Sequence, residues 1–263
     1  MCIRDRDKTF LLDWMQVYME AQESAGKKDG SQIKIAMRIL KDYAGEMVTL
    51  DQIDGDFCRG YITYLLTEYH PKGKDISNYT LHNYYRALNG ALNSAVRKKK
   101  MKANPFNELE KSEKIRKPES MRSYMTIEEV QALIDTPMPH EEYEIVKCAY
   151  LFSCFCGLRI SDIIKLKWND VFVDRGQYRL AVSMKKTKEP IYLPLSPEAL
   201  KWMPERGGKS SEDNVFDLPS ANTIRMQLKP WAKAAGISKR FSYHTSRHTF
   251  ATMMLTLGAC LLY

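Results

Sequence analysis

Three short stretches carry the side chains best suited to handling a phosphate ester. Gly157-Leu158-Arg159-Ile160-Ser161-Asp162 and His244-Thr245-Ser246-Arg247-His248 each hold an arginine, and Lys186 stands between them in a charged, turn-like segment. A guanidinium forks onto two oxygens and keeps its charge at any physiological pH. Two of them on rigid elements therefore suit a phosphate whose non-bridging oxygens gain negative charge in a transition state. A nearby lysine and histidine supply proton transfer, which completes the needs of phosphodiester chemistry without metal. His244 and His248 are spaced like the pair in a zinc hydrolase helix, but position 245 is threonine where that motif needs glutamate. No metal and no cofactor is expected. Asp162 reads as structural, orienting the corner or Arg159, and His248 as a packed or hydrogen-bonded helix residue supporting its neighbours.

The elements that must hold these groups can be read from hydrophobic periodicity. In the first half, Thr9 to Glu23 places Phe10, Trp14, Val17 and Tyr18 on one helical face. Ser31 to Tyr43 does the same with Ile35, Ile39 and Leu40, and Asp56 to Tyr69 with Phe57, Tyr61, Tyr64 and Leu65. A fourth helix starts near Ser77 or Asn78 and runs through Tyr84, Leu88, Leu92 and Val96 into Arg97-Lys98-Lys99-Lys100, stopping before Asn104-Pro105. Residues 111–122 are charged, poor in apolar side chains and broken by Pro118, which marks a linker. The second half restarts at Thr126, an N-cap followed by Glu128 and Glu129. An apolar helix from Glu141 to Cys156 is broken by Gly157, so that Arg159 falls at a helix-to-helix corner. Strands are expected at Val171–Val173, Tyr178–Ser183 and Ile191–Leu195, with Lys186 in the turn before the last. Helices resume at Pro197 and near Asn222, and one from His244 points Phe250, Met253, Met254 and Leu257 at the core.

Composition narrows the class. The chain has 263 residues, 44% hydrophobic and 27% charged, enough for two domains with a core each. No apolar run is long enough for a membrane span and no secretory signal is visible, so a cytoplasmic protein without a membrane partner is expected. The six cysteines form no CxxC pair and read as buried thiols. The net charge of +8 is concentrated: residues 1–85 carry 11 Lys/Arg against 13 Asp/Glu, and residues 86–122 carry 11 against 4. A basic patch built on Arg97, Lys98, Lys99, Lys100 and Lys102 suits a polyanion such as double-stranded DNA.

The ordered set of a G-L-R-x-S-D corner, a lysine in a β-turn (Met184-Lys185-Lys186-Thr187-Lys188-Glu189-Pro190) and an H-x-x-R-H helix resembles the tyrosine recombinases of the phage integrase family, along almost the whole chain. The resemblance implies a mainly α fold with a small antiparallel β-sheet. A helical, SAM-like DNA-clamping domain (8–110) would be joined by the linker (111–122) to an integrase-type α+β catalytic domain (123–263). It implies a site-specific DNA recombinase or integrase of a mobile genetic element, breaking and rejoining DNA by transesterification through a 3′-phosphotyrosine, as a tetramer on DNA. Arg159 and Arg247 would grip the scissile phosphate and Lys186 would protonate the leaving 5′ oxygen, with Lys185 and Lys188 as rivals in the same turn. His244 would assist proton transfer on the attacking side.

In that family the attacking tyrosine lies about thirty residues past the H-x-x-R arginine, after a Gly-His or Gly-Trp segment. Here sixteen residues follow Arg247 and the last is Tyr263, with no Gly-His before it. A terminal residue is poorly held for catalysis, so Tyr263 is rejected and no nucleophile is assigned in this chain. Met1–Arg6 and the run from Ala259 read as artefacts of a truncated gene. The catalytic domain is then incomplete, and the chain is expected to stand alone as a monomer and to bind DNA without cutting it. The competing readings are a non-catalytic, sequence-specific DNA-binding protein, either an inactive relative or a regulator, and a type IB topoisomerase-like enzyme.

Overall fold

A computed structural model describes residues 8–28, 30–119, 122–183 and 190–258. The chain divides into two compact units, Met1–Ser120 and Met121–Tyr263. It is mainly helical with one small antiparallel sheet.

The first unit contains α1 (Leu11–Ser24), α2 (Gly30–Ala44), α3 (Gly55–Thr67) and α4 (Asn78–Arg97). Side-chain caps start the last two: Asp54 accepts the Phe57 N–H at 2.8 Å and Ser77 that of Thr80 at 3.3 Å. Met15, Ile39, Leu40, Leu65, Leu88 and Leu92 are fully buried in one core, and the Trp14 indole N–H donates to the Ala91 carbonyl at 2.8 Å. Val17, expected on the inward face of α1, is 53% exposed. The helix instead buries Leu11, Trp14, Met15 and Met19, a stripe with i, i+4 spacing from which Val17 is rotated away. α4 ends at Arg97, so Lys98 to Lys102 follow the helix rather than extend it. Within the charged stretch read as a linker, Ile115 is buried in this core and Glu113 pairs with the Arg59 guanidinium on α3 at 2.8 Å.

In the second unit, α5 (Ile127–Asp135) begins with a reciprocal capping box between Thr126 and Glu129. Glu141–Tyr143, expected to open the next helix, forms a separate 3-10 turn, and α6 spans Glu144–Cys156. α6 is apolar around most of its circumference because it is covered on both sides. Tyr150 and Cys154 face Trp231 and Tyr243, while Phe152 and Cys156 pack with Leu180, Leu195 and Phe216. Its one buried cation, Lys147, donates to the Thr136 carbonyl at 2.9 Å and so satisfies the C-terminal end of α5. α7 (Ile160–Ile163) follows, then β1 (Val171–Asp174), β2 (Gln177–Ser183) and β3 (Pro190–Pro194) in the order β1-β2-β3. Leu180 is opposite Val171 on one side and Leu193 on the other, which turns Leu180 into the core. α8 (Pro197–Lys201), α9 (Ala221–Ala234) and α10 (Tyr243–Thr256) complete the unit.

α10 differs from the amphipathic helix expected. Its buried residues are Tyr243, Thr245, Ser246 and Thr249, whereas Phe250, Met253 and Met254 are half-buried and Leu257 is 77% exposed. Small polar residues let it lie close to α6, and each finds a local partner: Ser246 Oγ donates to Tyr243 O at 2.7 Å and Thr249 Oγ1 to Thr245 O at 2.9 Å.

Candidate functional site

The first arginine is placed by a helix stop. Gly157 ends α6 with φ 72° and ψ 12°, its N–H bonded to the Ser153 carbonyl, and the chain turns through Leu158 so that Arg159 occupies the N-cap position of α7. A side chain is excluded at 157 for two reasons. The left-handed backbone disfavours one, and an added Cβ would lie 2.4 Å from Cδ1 of Phe250 on α10. The second arginine ties these elements together, because Arg247 on α10 donates from Nη1 to the Gly157 carbonyl at 2.5 Å. One guanidinium thus holds the corner that carries the other.

α10 is anchored further along its length. The Tyr243 hydroxyl donates to the Ala149 carbonyl at 2.7 Å and lies 2.9 Å from Ser153 Oγ, while Thr249 Oγ1 accepts the Met125 N–H at 2.9 Å. The segment leading into α5 is thereby fastened to the helix bearing His244 and Arg247. Lys239 reinforces this strap, donating to the Tyr124 carbonyl at 2.7 Å, pairing with Glu129 and sitting over the Tyr124 ring.

Arg159 and Arg247 line one cavity of about 300 Å³ with Asp162, Cys156, Leu158, Val182, Ile191, Leu193, Phe250 and Met254 among its walls. Arg159 is exposed, and among the described residues its side chain makes no hydrogen bond or ion pair. Asp162, expected to orient Arg159 or the corner, accepts a hydrogen bond from Ser161 Oγ of the same corner at 3.0 Å. Among the described lining residues it is the one carboxylate beside two guanidiniums, so this part of the wall favours an anion. The Cys156 thiol is pushed up to about 12 by burial, and only partly offset by the Leu158 backbone and Arg247, so it stays protonated at neutral pH.

His244 is exposed and His248 half-buried, their rings in edge contact at 4.6 Å. Burial first, then the charges of His244, Arg122 and Arg247, hold His248 below the ordinary histidine value. Neither imidazole lines the cavity. Arg122 was not singled out by its type or spacing, and neither was the Gly157–Phe250 contact. The only sequence signal for Arg122 is its place at the end of a basic stretch. Lys186, with Lys185 and Lys188, lies outside the described residues, as does Tyr263. No described residue lining the cavity is a tyrosine. Tyr150 and Tyr243 are buried in the core, and burial holds both phenols well above their ordinary range. Among the described residues no cluster of His, Cys, Asp or Glu has the geometry of a metal site, and no helix is long and apolar enough to cross a membrane.

This fold and site define a class. Residues 123–261 match the phage integrase family and residues 10–125 the phage integrase SAM-like domain, and the chain belongs to the phage integrase family. Its relatives bear the name tyrosine recombinase. The chain is 30% identical over 157 residues to tyrosine recombinase XerD of Vibrio vulnificus, covering 54% of this chain and 50% of that relative. A tyrosine recombinase of Pseudothermotoga lettingae is 28% identical over 208 residues, covering 70% and 71%. The chain spans about half the length of the Vibrio relative. The same fold occurs in a lambda integrase tetramer bound to a Holliday junction, with TM-score 0.68, 19% identity and 96% and 75% coverage. It also occurs in the Tn1549 transposon integrase in complex with circular intermediate DNA, with TM-score 0.71, 16% identity and 96% and 89% coverage.

Proposed function

We propose that this chain is part of a site-specific DNA recombinase that breaks and rejoins double-stranded DNA through a 3′-phosphotyrosine, acting in the cytoplasm as a tetramer when complete. The observation that carries the reading is the joint placement of Arg159 and Arg247 on one anion-favouring wall, with Arg247 bonded to the corner that presents Arg159. Arg159 contributes an unpaired guanidinium to the scissile phosphate. Arg247 locks the corner and brings a second positive charge toward the same phosphate, whose charge rises as the tyrosine oxygen attacks. His244, exposed at the start of α10, is assigned proton transfer on the attacking side, and Lys186 protonation of the leaving 5′ oxygen. Asp162 and His248 support these groups. The exposed cations Arg97, Lys98, Lys99, Lys100 and Lys102 are assigned to the DNA backbone, and the joint between the domains to the stretch before residue 123.

The attacking tyrosine is proposed to come from outside the described residues, since none of them brings a tyrosine to the cavity. That same observation favours a second reading of the chain as it stands, a DNA-binding protein that does not cut. Incubation with a nicked duplex that traps covalent intermediates, followed by denaturing electrophoresis, tests both. The expected result is a complex on native gels and no adduct under denaturing conditions. An adduct mapped to a described tyrosine refutes the placement of the nucleophile, and absence of any duplex binding refutes the DNA reading.

A further inference from the structure

The last residue of α4, Arg97, and Lys98, Lys99, Lys100 and Lys102 in the turn after it are all exposed, and among the described residues none of these side chains forms an ion pair or hydrogen bond. Such a run is ordinarily a loose charged segment, yet here the backbone is bracketed on both sides. At the start, the N–H groups of Lys98, Lys99 and Lys100 donate to the carbonyls of Ser94, Val96 and Ala95 at 3.0, 3.0 and 2.9 Å. These bonds close α4 with Lys99 at φ 59°, the left-handed position that glycine fills most easily. At the end, Asn104 is 2% exposed. Its Nδ2 donates to Asn89 Oδ1 and to Asn93 Oδ1, both at 2.8 Å, and its Oδ1 accepts the Phe106 N–H at 3.0 Å. Met101 packs against the core between the two anchors.

The turn therefore keeps a cation where glycine would relieve the backbone, and a strained residue held by its surroundings points to function. We propose that Lys98–Ala103 is a preorganised phosphate-binding turn, in which Lys99 contacts a DNA backbone phosphate and Asn104 is the positioning residue. The inference rests on the DNA reading given above. A contact whose backbone is already ordered loses less entropy on binding, and a lysine on a phosphate adds affinity without reading sequence.

The test uses the whole chain with Lys99→Gly, Lys99→Arg and Asn104→Ala, measuring fluorescence anisotropy on short duplexes of unrelated sequence from about 50 to about 200 mM salt. Lys99→Gly is expected to melt no lower than the parent, to bind every duplex more weakly, and to lower the log–log salt slope by about one. Lys99→Arg restores the slope. Asn104→Ala keeps every cation and so keeps the slope, but weakens binding and speeds amide exchange at 98–103. If Asn104→Ala fails to fold, Lys99→Gly still decides. A Lys99→Gly slope equal to the parent's, or a loss confined to one sequence, overturns the inference while leaving the DNA reading intact. Failure of the parent chain to bind any duplex overturns both.

Discussion

Gly157 is the residue on which the arrangement of the two arginines turns, because it supplies both a left-handed backbone and the room that Phe250 occupies. Gly176 offers an internal comparison, since its φ is 76° but nothing lies within 4 Å of an added Cβ. Gly176→Ala is expected to cost about 1 kcal/mol in urea unfolding, and Gly157→Ala about 2 kcal/mol or more. Equal losses would show that the Phe250 contact carries no energy. In a version able to cleave, Arg159→Ala is expected to slow adduct formation by about 10²–10³ with little loss of folding stability. Arg247→Ala should lose both, because it also frees the Gly157 carbonyl. His248 gives a pH signature. Its pKa is depressed in the folded state by burial and by His244, Arg122 and Arg247, and that of His82 in the first unit by burial, Arg86 and Lys117. Below the unfolded value of about 6.5 the unfolded chain binds more protons, so stability falls as pH drops through that value and is regained above it. His248→Asn should flatten this dependence in part, leaving the share due to His82.

Among the elements, α10 carries two of the proposed site residues, His244 and Arg247, and no continuous apolar stripe. It is held by hydrogen bonds between its hydroxyl groups and the backbone of distant segments: Tyr243 Oη donates to the Ala149 carbonyl, and Thr249 Oγ1 accepts the Met125 N–H. Thr249→Val has nearly the same shape but leaves that buried N–H without a partner. The expected loss is about 1–3 kcal/mol by denaturant unfolding, with Thr249→Ser near the parent value. A neutral Thr249→Val would show that the strap does not depend on this bond. The expectation of a conventional apolar face failed here because close helix contact is made by Ser and Thr, which hydropathy scores as exposed. On α6 the reading succeeded, since a helix covered by α9 and α10 on one side and by the sheet on the other has to be apolar nearly all round.

For the molecule as a whole, charge and core are distributed unequally between two units. One core lies in the first unit and two clusters in the second, and the latter two share Ile145, Phe155, Trp202 and Leu218 at their border. The cationic turn sits on the first unit, the paired arginines on the second. Neutralising Arg97, Lys98, Lys99 and Lys100 together is expected to lower the salt slope of DNA binding by about three to four, without affecting the cavity around Arg159. An unchanged slope would remove this surface from the DNA interface.

Helix positions, the caps at Ser77 and Thr126, the helix stop at Gly157 and the three-strand meander are legible in the sequence, because each depends on neighbours within a few residues. The motifs holding Arg159, His244 and Arg247 were legible for the same reason. What tertiary structure alone decided was how these pieces meet. Arg247 reaches the carbonyl of Gly157 ninety positions away, Phe250 fills the space above that glycine, Thr249 takes the N–H of Met125, and Asn104 gathers Asn89 and Asn93. Contacts of this kind have no period and no fixed spacing. They arise where packed elements bring a donor to an unpaired acceptor, so they are set by the path of the chain in space rather than by its local order.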